Sequence, residues 1–305
     1  MSGEPPACRL CGSRATRDDG ALPDSDYFAG RVLERTLPGG RLWVCTRCGS
    51  AFRHPILSQA EYLSLYRSGA PDQWSGGESR RDLRIIRSIV SAARSASVLD
   101  VGCGAGDFLA TLPAHISKSG IEPSGAAALA GERGIEIVAR VLDEDATERC
   151  FEAVTAIDVI EHVPDPDAFL ARAYARVRPG GILIVSTGDP QAFAWRVLKS
   201  RFWYASFPEH VSFPGRAFFE QWCARSGARL KDRHATRYQA PSALRLPLGL
   251  AMQGAFFASP AAFNWAGRLV YRPRVPGVRP RRTFSPGIPG TFLDHQIVVI
   301  GKPAA

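Results

Sequence analysis

The chain has 305 residues, 45% of them hydrophobic and 22% charged, enough to bury a full core and carry one small accessory module, and a composition that excludes a disordered or fibrous protein. The net charge of +9 is local, because Arg233 to Leu293 holds nine arginines and no Asp or Glu. That argues against a protein built to coat nucleic acid and leaves two readings: a local anionic partner such as a phosphate or lipid headgroup, or a basic solvated face.

Residues 1–7 lack a basic region followed by an apolar core, so no secretory leader is expected. The most apolar stretch, 246–263, is interrupted by Pro247, Gly249, Gly254 and Pro260. A membrane-spanning helix is therefore not expected there, while peripheral contact with a membrane through 241–290 stays open. Seven cysteines, an odd number with four in two tight pairs, suit a reducing cytoplasm and a metal site better than a disulfide framework.

In chain order, residues 1–55 read as a loop-rich module. Cys8-x2-Cys11 and Cys45-x2-Cys48 form two knuckles able to give four thiolates to a tetrahedral, structural zinc. Gly12 and Gly49 stand where each knuckle turn needs unusual backbone angles. Residues 56–79 read as a connector with a short helix at 61–66. The main domain, 80–305, starts on a helix with Leu83, Ile86, Ile89 and Val90 on one face. Strands are predicted at 98–101, 117–121, 135–139, 153–157 and 182–186, with two more near 229–238 and 296–301. Helices are predicted at 106–112, 124–132, 166–177 and 214–226. This alternation predicts an α/β fold with a mostly parallel, seven-stranded Rossmann-like sheet. An apolar, then Arg- and Pro-rich insertion occupies 241–290.

The first strand of that domain runs into Asp100-x-Gly102-x-Gly104-x-Gly106, then a helix. Glycines allow close approach of a ligand to the main chain, and the spacing differs from the Gly-x-Gly-x-x-Gly of dinucleotide sites. Glu122 ends the next strand. It stands either to accept hydrogen bonds from a ribose or to favour the following helix end. After the fourth strand comes Asp158-x-x-Glu161-His162-Val163, and after the fifth, Pro208-Glu209-His210-Val211.

The turn at Asp100–Gly106 resembles motif I of class I S-adenosylmethionine-dependent methyltransferases, and the ordered matches continue through Val177-Arg178-Pro179-Gly180-Gly181. The resemblance implies S-adenosylmethionine as cofactor, with Gly102, Gly104 and Gly106 around its methionine and ribose and Glu122 on the ribose hydroxyls. It also implies an adenine contact after the third strand, for which Asp143 is named, and places Asp158 near the methionine amino group or the substrate. Ubiquinone-pathway O-methyltransferases carry a constellation similar to Asp158-x-x-Glu161-His162, with Glu first, and can hold a divalent ion there; local support of the loop by His162 is the other reading.

The Glu209-His210 segment resembles that of deoxysugar C-methyltransferases, which also carry an N-terminal cysteine-rich zinc module. An imidazole titrates near neutral pH, so His210 beside Glu209 is expected to act as a general base or, alternatively, to orient its loop. The expected function is methylation of a small acceptor, such as a sugar or nucleotide-sugar, whose phosphates could meet the arginines of 241–290. An RNA or protein methyltransferase, or a non-catalytic cofactor-binding protein, are the alternatives.

Overall fold

The computed structural model describes residues 4–68, 80–142, 149–237, 245–259, 262–263, 266 and 293–304. Asp143 and most of 241–290 therefore lie outside the described residues.

The first 55 residues are richer in strands than expected. Strand β1 (Thr16–Ala21) is followed by the hairpin β2 (Ser25–Phe28) and β3 (Arg31–Leu37), then by β4 (Arg41–Cys45) and β5 (Ala51–His54). The β-branched and aromatic residues there are interleaved with arginines and acids, which masks the alternation in the sequence. Helix α1 (Gln59–Arg67) begins at a capping box: the Glu61 N–H donates to Ser58 Oγ at 3.3 Å and the Ser58 N–H returns to Glu61 Oε2 at 2.9 Å.

Helix α2 (Arg81–Ala92) buries Ile86 and Val90, four residues apart on its apolar face. From there β6 (Ser97–Val101), α3 (Asp107–Ala110), β7 (Ser117–Ile121), α4 (Ala126–Glu132), β8 (Glu136–Ala139) and β9 (Phe151–Ile157) alternate. Next come α5 (Pro166–Ala175), capped by Asp165, then β10 (Val177–Gly188) and α6 (Phe193–Leu198). The chain continues through the two-residue strand β11 (Ser212–Phe213), α7 (Arg216–Ser226), β12 (Arg229–Thr236), α8 (Arg245–Ala258) and β13 (His295–Gly301).

Seven strands form the main sheet in the order β12-β13-β10-β9-β6-β7-β8. The block from β8 to β10 is parallel; at one edge β13 runs antiparallel to it, and β12, antiparallel to β13, runs in the direction of the block again. Because β13 is reversed, His295 at its start lies level with Gly188 at the end of β10, on the same edge as the carboxyl ends of the parallel strands. The central strands are buried on both faces, as the apolar runs Val98–Val101 and Ile182–Val185 require.

The boundary drawn near residue 55 does not separate two cores. A second sheet, β1-β4-β5-β11, takes its last strand from the loop just after His210. Leu42 and Ala51 of the N-terminal strands pack in one cluster with Trp195, Phe202, Tyr204 and Phe213. Among the described residues, no helix is long and apolar enough to cross a membrane.

Candidate functional site at the carboxyl edge of the sheet

The glycine turn folds as its sequence requires. Gly102, Gly104 and Gly106 have φ of +75°, +54° and +80°, a region that L side chains rarely adopt. A Cβ at Gly102 would meet Val159 Cγ2 at 2.5 Å, and one at Gly106 would meet Ile135 Cδ1 at 2.1 Å. At Gly104 a Cβ would meet nothing within 4 Å, so this glycine faces open space. Glu122, 5% exposed, accepts from the Gly104 N–H at 2.9 Å and from the Ser124 N–H at 2.8 Å. A carboxylate has about four acceptor positions, so both oxygens keep capacity for a diol. The loop and acid thus form a cradle that fits an adenosyl cofactor.

Asp100 turns inward, not to the turn: its Oδ1 accepts from Thr155 Oγ1 at 2.6 Å. Burial raises its pKa to about 7, helped by the charge of Glu122 and opposed by the Thr155 bond. Asp158, just beyond β9, has a φ of +53°, rare for a residue with a side chain and of the kind that clusters at functional sites. Its Oδ2 pairs with Arg80 Nη2 at 2.6 Å, and Arg80 also holds the fully buried Asp82. Asp158 Oδ1 is buried with no hydrogen-bond partner among the described residues, an orphaned acceptor.

Beside it lies a cluster of imidazoles and hydroxyls. His162 and His210 stack edge to face with ring centroids 4.7 Å apart. Nδ1 of His162 meets the Tyr66 hydroxyl of α1 at 2.8 Å. Nδ1 of His210 meets the carbonyl of Tyr204 at 2.7 Å; a carbonyl only accepts, so the proton sits on Nδ1 and Nε2 is the basic nitrogen. Glu161 is fully buried and accepts from Thr187 Oγ1 at 2.9 Å and from the Tyr204 hydroxyl. Burial drives its pKa upward, with the charge of Asp158 adding and that of His162 opposing.

The expected pairing of Glu209 with His210 is corrected. The Glu209 carboxylate turns to the N-terminal strands and accepts the Ala29 N–H at 2.6 Å, because the β2–β3 hairpin leaves that donor facing the loop. The buried carboxylate grouped with the two histidines is Glu161. The divalent-ion reading of Asp158, Glu161 and His162 also meets an obstacle, since the Arg80 guanidinium already occupies one side of Asp158. Glu161, His162 and His210 do bring ligand atoms within 4.8 Å of one another. Both Glu161 oxygens take a hydroxyl donor, and Nδ1 of each histidine is hydrogen-bonded.

Asp294 and His295, which the sequence reading passed over, lie on the same edge, 2% and 1% exposed, with Asp294 Oδ1 2.8 Å from Nδ1. Burial opposes charge on this imidazole, but the Asp294 bond and the charges of Asp294, Asp158 and Asp82 outweigh it and raise its pKa.

The four cysteines come together as the spacing predicts. Cys8 Sγ lies 3.8 Å from Cys48 Sγ and Cys11 Sγ 3.6 Å from Cys45 Sγ, and all four sulfurs fall within 4.8 Å of one another. A tetrahedron with Zn–S bonds of about 2.3 Å has edges of about 3.8 Å, so the donor set fits a closed, structural zinc. Gly12 and Gly49 take φ of +72° and +67° at the knuckle turns.

Residues 78–231 match the Methyltransferase domain family. The chain is 31% identical over 160 residues to a ubiquinone biosynthesis O-methyltransferase of Xanthomonas axonopodis pv. citri, covering 47% of this chain and 67% of the relative. A ubiquinone biosynthesis O-methyltransferase of Aeromonas salmonicida is 30% identical over 168 residues, 50% of this chain and 70% of the relative. The crystal structure of the Burkholderia thailandensis 1,6-didemethyltoxoflavin-N1-methyltransferase with S-adenosylhomocysteine aligns at 18% identity and a TM-score of 0.49, over 83% of this chain and 96% of the other.

Proposed function

We propose, for a chain that belongs to the methyltransferase-domain family and is a class I S-adenosylmethionine-dependent methyltransferase, that His210 takes the proton of a small acceptor as that acceptor is methylated. The observation that carries this reading is the hydrogen bond from His210 Nδ1 to the Tyr204 carbonyl, which leaves Nε2 as proton acceptor within the cluster at the cofactor edge.

The cofactor, when bound, supplies an electrophilic methyl group on a sulfonium. Glu122 holds the ribose hydroxyls, Gly104 lets the chain approach the nucleoside closely, and the orphaned Oδ1 of Asp158 receives the methionine amino group. Asp143, named for the adenine contact, lies outside the described residues. His210 removes the acceptor's proton, and His162, held by Tyr66, lines the same space. Glu209 anchors the loop through Ala29. Alignment of nucleophile and methyl, together with proton removal, accounts for catalysis of this kind.

The acceptor is a small molecule presenting a hydroxyl or a carbon beside a carbonyl, as phenolic biosynthetic intermediates and nucleotide-sugars do. The O-methyltransferase names of the relatives support the first class. Cys8, Cys11, Cys45 and Cys48 hold a structural zinc. The test is methyl transfer from tritiated S-adenosylmethionine to a panel of catechols and keto-sugar nucleotides. His210→Gln is expected to lose about 10²–10⁴-fold in turnover while binding S-adenosylhomocysteine unchanged. Turnover within threefold of wild type, as an order-of-magnitude bound, contradicts the assignment.

A further inference from the structure

Arg53 of β5 is 2% exposed, and its guanidinium meets backbone carbonyls. Nη2 donates to Ala205 O at 3.0 Å and to Phe207 O at 2.9 Å, Nε donates to His210 O at 3.2 Å, and Nη1 reaches Gly39 O. The Arg53 N–H donates to Val211 O at 2.9 Å. One buried side chain, with its planar fork of donors, thus clamps three carbonyls of the segment that presents His210. Burial lowers its pKa to about 10, with Tyr62 and Glu209 opposing, so it stays cationic at neutral pH.

The same junction is closed at further points. Ser50 Oγ accepts the Gly215 N–H at 2.8 Å, and a Cβ at Gly215 would lie 2.6 Å from Gly49 C and 2.8 Å from Cys48 O, so the knuckle itself packs on the chain beyond His210. On the opposite side the Val211 N–H donates to Glu161 O at 2.8 Å. The loop bearing His210 is held between the four-cysteine module and the Glu161 turn of the main domain. Its conformation depends on contacts from both.

We propose that Arg53 is a positioning residue for His210 and that the metal held by the four cysteines sets the geometry of the base through β5. Without the clamp, the 205–210 loop relaxes, Tyr204 O leaves Nδ1, and the proton distributes over both ring nitrogens. The module is then a splint for the catalytic loop, and metal loss disables proton removal before it disturbs the cofactor cradle, which draws its contacts from β6, β7 and their turns. The proposal rests on the reading of His210 as the base.

The test is long-range ¹H–¹⁵N NMR on the full, zinc-loaded chain, whose six histidines keep the spectrum simple; His210→Gln identifies the signal. At a pH of about 8, wild type is expected to show His210 as a single Nδ1–H tautomer. Arg53→Met, which keeps the stem and removes the fork, is expected to show mixed tautomers while zinc content stays at one per chain. Its affinity for S-adenosylhomocysteine is expected to stay within about twofold of wild type, and Arg53→Lys to restore part of the single-tautomer signal. Zinc chelation is expected to reproduce the Arg53→Met spectrum. If Arg53→Met does not fold, Ser50→Ala removes one bond of the same junction and is expected to shift the signal in the same direction. An unchanged His210 spectrum in the folded variant, or after chelation, overturns the proposal. Failure of the base reading is distinguishable: His210→Gln would then turn over normally whatever the NMR of the Arg53 variants shows.

Discussion

The three glycines of the cofactor turn have different environments, and substitution separates them. At Gly106, alanine adds a backbone cost of about 1–2 kcal/mol for an L residue at positive φ. It also forces a Cβ to within 2.1 Å of Ile135 Cδ1, with Ala130 Cβ at 3.4 Å behind it. Ile135 is 3% exposed and packed, so overpacking adds about 1–3 kcal/mol, for a total loss of about 2–5 kcal/mol. At Gly104 the new Cβ meets nothing within 4 Å, so only the backbone cost of about 1–2 kcal/mol applies. That Cβ instead projects into the space assigned to the nucleoside. Urea unfolding without ligand, paired with calorimetry of S-adenosylhomocysteine, reads both effects. Gly106→Ala is expected to lose the larger stability, and Gly104→Ala to keep most of it while losing cofactor affinity by about tenfold or more. Equal stability losses, or undiminished affinity in Gly104→Ala, would refute the reasoning.

Asp100 gives a pH signature. Its folded pKa of about 7 lies above the ordinary 3.8, so its contribution to stability is full below about pH 4, falls as the pH climbs towards 7 and is flat beyond. Asp100→Asn, which still accepts from Thr155, is expected to flatten the stability curve over that window; urea midpoints with an unaltered slope contradict the assigned burial. Glu161→Ala strips the acceptor from two buried hydroxyls, Thr187 and Tyr204, and is expected to lose about 2–5 kcal/mol, with Glu161→Gln losing less because the amide oxygen still accepts. An alanine variant as stable as wild type in urea contradicts the network.

Local spacing carried most of the cofactor side. The Asp100–Gly106 turn, Glu122 and the paired cysteines are each set by residues close in sequence, where turn angles and strand ends impose residue type directly. The mostly parallel seven-stranded sheet was legible from the alternation of strands and helices. The acceptor side was less legible because its contacts are long-range: Arg53 meets the His210 carbonyl across 157 positions, and Tyr204 reaches Glu161 across 43. Glu209 stands next to His210 in sequence, yet the two share a turn closed by the His210 N–H on Phe207 O, and the hairpin at Ala29 captures the carboxylate. The strand β11, two residues long, is defined by its partner β5 and has no pattern of its own. Asp294 and His295 carry no local motif, and only the reversed course of β13 delivers them to the ligand edge.

The most direct measurement is calorimetric titration of S-adenosylhomocysteine into the folded wild-type chain and into Glu122→Ala. One nucleoside per chain should enter the wild type, and removal of the acid should weaken it by about 10–100-fold, the worth of hydrogen bonds to a charged acceptor. A wild-type chain that takes up none, or an alanine variant that binds as tightly, would contradict the placement of the cofactor on this edge of the sheet.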